Sequence, residues 1–204
     1  MRRPPWFEPD QSQLELLGFS DSNYADGKDK CWRATTGFCF FLCGILISWK
    51  AKRQDTTACS TYEAEMIAAY AAFMEGLRLM DLLKEMQLIP ETYTCPFFCD
   101  NEAVVGTVGK PPEDWTKNHL NTKFFRCSEL VRMGVYYARH IDGVDNPSDL
   151  FTKGLKVDDF KRHRSTLLNS TILATLQILL FVTERLKWTY RFMKWKALTP
   201  QDLA

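Results

Sequence analysis

Residues 36–50, TGFCFFLCGILISWK, decide how this chain folds. The stretch is rich in aromatic and branched residues, and Cys43-Gly44 divides it into two halves. Two such halves around a short turn with glycine are typical of an antiparallel β-hairpin. Residues 14–20, just upstream, have the composition of another strand. The fold therefore opens with three strands.

Downstream of the hairpin the apolar period changes. Apolar residues now recur at steps of three and four, which predicts a long amphipathic helix from about Ser60 to about Met86. Ser60 or Thr61 is the expected N-cap, with an acidic residue in the first turn. The periodic residues are Met66, Tyr70, Phe73, Leu77 and Met80.

Strands and helices alternate in the remainder. The pattern predicts a strand over 94–99, a short helix from Asn101, a helix over about 118–133, a strand over 135–141, and a last helix with Asn146 as N-cap. The predicted class is α/β. Its mixed five-stranded sheet has three antiparallel strands followed by β/α alternation, and helices flank it.

Composition sets limits on size and partners. The chain has 204 residues, of which 46% are apolar, so it is long enough for one domain with terminal extensions. We place an N-terminal extension at 1–13, the domain at 14–160, and a helical or poorly ordered extension at 161–204. The net charge of +1 does not by itself indicate a nucleic-acid or membrane partner.

The cysteines and the N-terminus bear on location. Seven cysteines lie scattered through apolar runs, and no apolar segment of signal-peptide type follows the first arginines. We therefore expect an intracellular protein, cytoplasmic or nuclear, with reduced thiols. The Cys-x3-Cys pairs do not suit zinc, because residues four apart on a strand are roughly 13 Å from each other.

The C-terminal extension contains an apolar run over 171–182, followed by a segment that mixes basic and aromatic residues. The run is shorter than the roughly twenty residues that a spanning helix needs, so no transmembrane segment is expected. The mixed segment could form an interfacial or nucleic-acid-facing helix, but a helix packed on the domain or on a partner, or a poorly ordered extension, is the preferred interpretation.

Four carboxylates, Asp21, Glu65, Asp100 and Asp149, stand where a predicted strand ends or a predicted helix begins. Each has an ordinary explanation: Asp21 suits a turn, Glu65 suits the positive end of a helix dipole, and the other two suit helix starts. Glu63 is a rival to Glu65. The two lie about 200° apart around the helix, so they cannot both face one site.

Taken together, the four acids predict a metal site. In a sheet with the first strand next to the fourth, their ends are adjacent, and two helix N-termini can direct acids to the same place. Carboxylates gathered there repel one another unless cations neutralise them. Two Mg²⁺ ions about 4 Å apart, with Mn²⁺ as a substitute, suit such oxygen ligands and the hydrolysis of a phosphodiester.

Four blocks of sequence then carry a resemblance to a known family. They are GFSDSNYADG (18–27), TGFCFFLCGILISWKAKRQDTTACSTYEAEMIAA (36–69), FFCDNEAVVG (97–106) and HIDGVDNPSDLFTKGL (140–155). Over residues 17–155, the chain resembles the ribonuclease H domain of copia-type retrotransposon polyproteins. This resemblance implies a ribonuclease H-like fold and hydrolysis of the RNA strand of an RNA–DNA hybrid during reverse transcription.

The resemblance also implies residue roles and partners. Asp21, Glu65, Asp100 and Asp149 match the catalytic, metal-binding acids, and Glu65 is preferred to its rival because it immediately precedes the apolar run MIAA. His140 is a candidate for assisting product release, although a structural role at a strand end stays open. The reverse transcriptase domain of a parent polyprotein is the expected partner, and residues 1–13 are interpreted as a remnant of the connection to it.

Basic residues near the predicted hairpin exit and on the later helix are candidates for contacts with the nucleic-acid backbone, and solvated surface is the alternative for each. They are Lys50, Lys52, Arg53, Lys117, Lys123 and Arg126.

Two further functions stay open. A nucleotidyl transferase or integrase shares the fold but completes its site with an acid on a late helix, whereas Glu65 falls between the first and second aspartates. A catalytically inactive retroelement remnant, or a domesticated nucleic-acid-binding module, would keep the fold without the reaction.

Overall fold

In a computed structural model of the chain, residues 14–24, 32–110 and 122–168 are described. The first half contains the strands β1 (Leu16–Asn23), β2 (Thr35–Leu42) and β3 (Ile45–Arg53) and the long helix α1 (Thr61–Glu85). The second half contains β4 (Cys95–Cys99), α2 (Glu102–Val108), α3 (Thr122–Arg132), β5 (Tyr136–His140), two 3₁₀ helices (Gly143–Asp145 and Pro147–Phe151) and α4 (Val157–Leu168).

The five strands form one mixed sheet in the order β3-β2-β1-β4-β5. β2 is antiparallel to both β1 and β3, whereas β4 runs parallel to β1, and β5 runs parallel to β4. This topology confirms the predicted α/β class, with an antiparallel unit followed by β/α alternation. It also brings the ends of β1 and β4 side by side, as expected from the sequence.

The turn between β2 and β3 is the predicted one. Cys43 and Gly44 have φ angles of 49° and 80°. Positive φ at both central residues matches a two-residue type I′ turn, which suits the twist of the strands on either side. Glycine at the second position adopts this conformation without a steric cost.

Two strands are longer than predicted. β1 continues through Asn23 because Asp21, Ser22 and Asn23 pair with β2, so Asp21 lies within the strand and the prediction that it ends the strand is wrong. Likewise β3 continues to Arg53, which pairs with Thr35. The basic residues assigned to the hairpin exit are therefore strand residues. Ladder partners outweigh the polar character of these segments.

The helix expected after Asn146 is also different. Asn146 is the N-cap, as predicted, and its Oδ1 accepts from the backbone N–H of Ser148 at 3.2 Å. The helix that follows is a short 3₁₀ helix, in which the N–H of Thr152 bonds to the carbonyl of Asp149. It stops before Gly154, and the regular helix α4 starts only at Val157.

Apolar side chains cover both faces of the sheet. On one face, α1 buries Met66, Phe73 and Met80, and the ring of Phe73 stacks on Tyr136 with centroids 4.1 Å apart. On the other face, Phe19 and Phe98 stack at 5.0 Å. Full burial of one such side chain contributes about 1.5–3 kcal/mol, so these clusters fix the strands that carry the candidate acids.

The predicted extensions are not settled by the described residues. Helix α4 runs through residue 160, where the sequence places the end of the domain, and it buries His163. Residues 1–13 and 169–204 lie outside the described part, so the three-segment division stays a prediction. Among the helices of the described part, none combines the length and the apolar character needed to cross a bilayer.

Candidate metal centre

The register of the central strands sets the position of two aspartates. Ser20 of β1 lies beside Cys99 of β4 in the parallel ladder. The residues that follow them, Asp21 and Asp100, therefore lie at the same edge of the sheet. Asp21 is 2% exposed. Asp100 comes directly after β4 and is half-buried.

The N-terminus of α1 supplies the glutamate. Ser60 caps the helix by accepting from the N–H of Glu63 at 3.1 Å, and the Glu63 carboxylate accepts from the N–H of Cys59 at 2.6 Å. The second bond goes to the residue before the N-cap, so Glu63 takes part in capping the helix through both its backbone and its side chain. Glu63 is therefore occupied by the cap, whereas Glu65 is only 5% exposed and points to the end of β4.

The first residues after Asn146 bring in the last acid. Asn146 is fully buried, and its Nδ2 donates to the carbonyl of Ser20 at 2.9 Å. This bond joins the start of the 3₁₀ helix to β1 next to Asp21. As a result, Asp149 is held close to Asp21, with only 7% of its surface exposed.

The four acids form two overlapping groups. One carboxylate oxygen from each of Asp21, Asp100 and Asp149 lies within 4.8 Å of the others. A second group, with the same limit on distance, combines Glu65 and Asp100 with the sulfur of Cys99. Asp100 belongs to both groups, so all four sequence-predicted acids meet at one place.

Burial and mutual repulsion disfavour the charged forms of these acids. Burial, and then the charges of Asp21 and Asp100, raise the pKa of Glu65 from 4.5 to about 8. Burial and Asp21 raise the pKa of Asp149 from 3.8 to about 7, and the same two causes raise the pKa of Asp100. Carboxylates with raised pKa values in one cluster lack sufficient positive charge around them.

The donor set fits a divalent ion with a preference for oxygen. Oε2 of Glu65 and Oδ1 of Asp100 are buried and have no hydrogen-bond partner in the protein. A buried carboxylate oxygen without a partner is costly, and a bound cation would satisfy it. The thiol of Cys99 is a weaker donor, because burial strongly raises its pKa and keeps its proton in place.

Two residues that sequence reasoning missed touch the same acids. The Lys153 ammonium lies 2.9 Å from Oδ1 of Asp149 and 3.9 Å from Oδ2 of Asp21. The hydroxyl of Thr152 donates to Oδ2 of Asp21. The sequence feature that could have identified them is the block FTKGL (151–155), in which Thr152 and Lys153 follow Asp149 by three and four residues.

The other predicted residues surround the acids less closely. His140 ends β5, is exposed, and has its Nε2 3.2 Å from the carbonyl oxygen of Asp100. On β3, Lys52 is paired with Asp55 at 3.0 Å, and the ammonium of Lys50 lies over the ring of Phe38. The third basic residue of this strand, Arg53, is exposed near its end.

The predicted contacts on the later helix are on α3. Lys123 lies over the ring of Tyr70, and Arg126 is paired with Glu129 at 2.6 Å. Lys117 lies outside the described residues. None of these observations tests a role in binding nucleic acid, so the roles stay predictions.

Sequence comparison finds similar proteins among retrotransposon polyproteins, although no family model matches the chain. It is 28% identical over 146 residues to the retrovirus-related Pol polyprotein from transposon TNT 1-94 of Nicotiana tabacum. It is 26% identical over 155 residues to the transposon Ty1-LR3 Gag-Pol polyprotein of Saccharomyces cerevisiae. The matches cover 72% and 76% of this chain, but only 11% and 9% of those polyproteins.

Similar solved structures are ribonucleases H. An RNase H1 isolated from compost has a TM-score of 0.48 and 14% identity, with 68% of this chain and 92% of that chain covered. The N-terminal RNase H domain of a Mycobacterium tuberculosis protein has a TM-score of 0.46 and 8% identity, with 76% and 99% covered. By its sequence matches and its own sheet topology, the chain is a relative of retrotransposon Pol and Gag-Pol polyproteins and has a ribonuclease H-like fold.

Proposed function

We propose that this chain is a metal-dependent ribonuclease H that hydrolyses the RNA strand of an RNA–DNA hybrid. The observation that carries the proposal is the meeting of Asp21, Glu65, Asp100 and Asp149, from four separate segments, around buried carboxylate oxygens without partners. The relation to Pol polyproteins supports the same reaction. It also supports a copia-type origin and a reverse transcriptase domain as the partner in a longer parent protein.

The four acids would hold two divalent ions, and Mg²⁺ suits their oxygen donors, with Mn²⁺ as a substitute. Bound there, the ions would activate water and stabilise the charge on the leaving oxygen. The protein's own task is to orient the ligands. Thr152 donates to Asp21, and Asn146 ties the segment that carries Asp149 to β1. Asp100 contributes to both groups of donors.

Recognition of the hybrid would depend on the surface around this centre. Phosphate contacts supply affinity, and groove shape with 2′-hydroxyl groups distinguishes RNA from DNA. Arg53 is a candidate for such a contact because it lies on the same face of the sheet as Asp21, two strands away. We assign His140, next to the Asp100 backbone, to product release.

A cleavage assay tests the proposal directly. An RNA–DNA hybrid with a labelled RNA strand is incubated with the full chain and Mg²⁺ or Mn²⁺, beside Asp100→Asn and the control Asp142→Asn. Asp142 is exposed and makes no side-chain cap bond. We expect Asp100→Asn to lose more than about a hundredfold in rate, because loss of a direct ligand should exceed the effect of an outer-shell change, and the control to keep the parent rate.

Three outcomes would contradict the proposal. Equal cleavage by the parent and Asp100→Asn would identify a contaminating nuclease. Equal cleavage of single-stranded RNA and of the hybrid would remove the hybrid specificity. Binding of the hybrid without cleavage, at any concentration of Mg²⁺ or Mn²⁺, would favour the nucleic-acid-binding module.

A further inference from the structure

A lysine side chain contacts two acids of the cluster. The Lys153 ammonium lies 2.9 Å from Asp149 and 3.9 Å from Asp21, whose side chains are only 9% and 2% exposed. Burial alone would lower the pKa of Lys153, but Asp21 and Asp149 outweigh it and hold the pKa above its ordinary value. The ion-pair distances alone place a positive charge between two of the candidate metal ligands.

This position conflicts with a divalent ion on the same carboxylates. Oδ1 of Asp149 is in contact with the ammonium, and an ion bound by Asp21 and Asp149 would lie within a few ångströms of it. Like charges at that separation in a partly buried site repel strongly. The ammonium and the ion therefore compete for these two acids.

The surroundings of Lys153 allow it to leave. Its side chain is 38% exposed, in contrast to the acids it contacts. A long flexible stem that is already partly in solvent can carry the ammonium away from the acids without a change in the fold.

We propose that Lys153 is an internal counter-cation, which holds Asp21 and Asp149 together in the metal-free protein and is displaced when a divalent ion binds them. The inference rests on the proposed function, since it takes these acids as metal ligands. It makes Lys153 a positioning residue that sets how tightly the metal binds. The Lys153 charge thus maintains the cluster at a cost in affinity for the ion.

Titration calorimetry with Mn²⁺ on the full chain tests this inference without any substrate. Lys153→Met removes the charge, Lys153→Arg keeps it, and Lys156→Met is the control, because Lys156 is exposed three residues away. We expect Lys153→Met to bind Mn²⁺ at least tenfold more tightly than the parent. The Mn²⁺ dissociation constants of the arginine variant and of the control should stay within about threefold of the parent value, which is less than the 1.4 kcal/mol that a tenfold change represents. Equal or weaker binding by a folded Lys153→Met protein would overturn the inference.

A second measurement covers the case in which Lys153→Met does not fold. In the parent, the Lys153 ammonium should give a protected ¹⁵N–¹H resonance without metal, and this resonance should lose its protection as Mg²⁺ is added. A resonance that stays protected at saturating Mg²⁺ would overturn the inference.

Activity separates this inference from the proposed function. If the chain cleaves hybrid, the Mn²⁺ concentration for half-maximal rate should fall in Lys153→Met in parallel with its dissociation constant, and an unchanged or higher midpoint would contradict displacement. If the parent binds Mn²⁺ but cleaves no hybrid, the proposed function fails, and the binding comparison still decides the role of Lys153.

Discussion

Asn146 donates from its Nδ2 to the carbonyl of Ser20 at 2.9 Å, across 126 residues of sequence. At the same time, Oδ1 of Asn146 accepts hydrogen bonds from both the backbone N–H and the hydroxyl of Ser148. One buried side chain thus starts the 3₁₀ helix that carries Asp149 and attaches it to the strand that carries Asp21. The position of one acid relative to another depends on this residue, which is not itself a ligand.

We expect substitution of Asn146 to separate its two tasks. Serine keeps a good N-cap but lacks the amide donor, so Asn146→Ser should lower the free energy of unfolding by about 1–3 kcal/mol through the unpaired Ser20 carbonyl. Asn146→Ala also loses the cap and should cost about 1 kcal/mol more. Urea unfolding measures both. Equal stability of Asn146→Ser and the parent would show that the bond to Ser20 contributes nothing.

The raised pKa of Glu65 predicts how the stability of the metal-free protein depends on pH. With a pKa of about 8 in the folded chain and 4.5 as its ordinary value, Glu65 keeps its proton in the folded state while the unfolded state loses it. Stability should therefore fall as pH rises between these values, by up to about 1.4 kcal/mol per unit. Asp149, with a pKa of about 7, adds to the fall.

Thermal unfolding in a chelator at pH 5 to 8.5 tests this dependence. Glu65→Gln cannot ionise, so its melting temperature should fall less than that of the parent over this range. Added Mg²⁺ should stabilise the parent more at higher pH, because metal binding requires the deprotonated carboxylates. A parallel fall for the parent and Glu65→Gln would show that Glu65 does not titrate in this window.

Gly37 lies where the sheet comes closest to the 3₁₀ helix Pro147–Phe151. It pairs with Asp21 in the ladder, and a Cβ there would lie 3.0 Å from the carbonyl oxygen of Ser148 and 3.1 Å from Cβ of Phe151. Gly37→Ala should push this helix outward, cost about 1–3 kcal/mol of stability, and weaken Mn²⁺ binding by moving Asp149.

Gly106 provides the matched control for that change. It lies inside α2, and no atom is within 4 Å of the place of its Cβ. Gly106→Ala should therefore stabilise the chain by about 0.5–1 kcal/mol and leave Mn²⁺ binding unchanged. Denaturant unfolding and calorimetry on both variants decide the matter. Similar Mn²⁺ affinities for Gly37→Ala and Gly106→Ala would contradict the positioning role of this close contact.

Local sequence signals predict the elements but not the contacts between them. The Cys43-Gly44 turn and the Ser60 cap follow from short-range chemistry, and both are present. The end of β1 was misplaced because polar residues suggested a turn, whereas pairing with β2 continues the strand. A tertiary ladder outweighs composition there.

The candidate site shows the same division. The four acids were identified in the sequence by their order and by the resemblance, and the structure brings them together, although their roles as ligands are untested. Lys153 was missed because its importance lies in a distance to Asp21, 132 positions away, which no local period reveals. The choice of Glu65 over Glu63 gains its physical reason from the structure, in which Glu63 makes capping bonds and Glu65 is buried beside Asp100.

The last prediction concerns the face on which the hybrid binds. In the ladder, Ala51 shares a row with Asp21, so Arg53 points to the same face as Asp21, whereas Lys52 points to the opposite face and is paired with Asp55. Arg53→Ala should therefore reduce the slope of the logarithm of the binding constant against the logarithm of salt concentration by about 1, the value for one phosphate contact. Lys52→Ala should leave this slope almost unchanged. Fluorescence anisotropy with a labelled hybrid, at several salt concentrations in a chelator, measures both slopes. A larger change for Lys52→Ala would place the bound hybrid on the face covered by α1, which the position of Asp21 argues against.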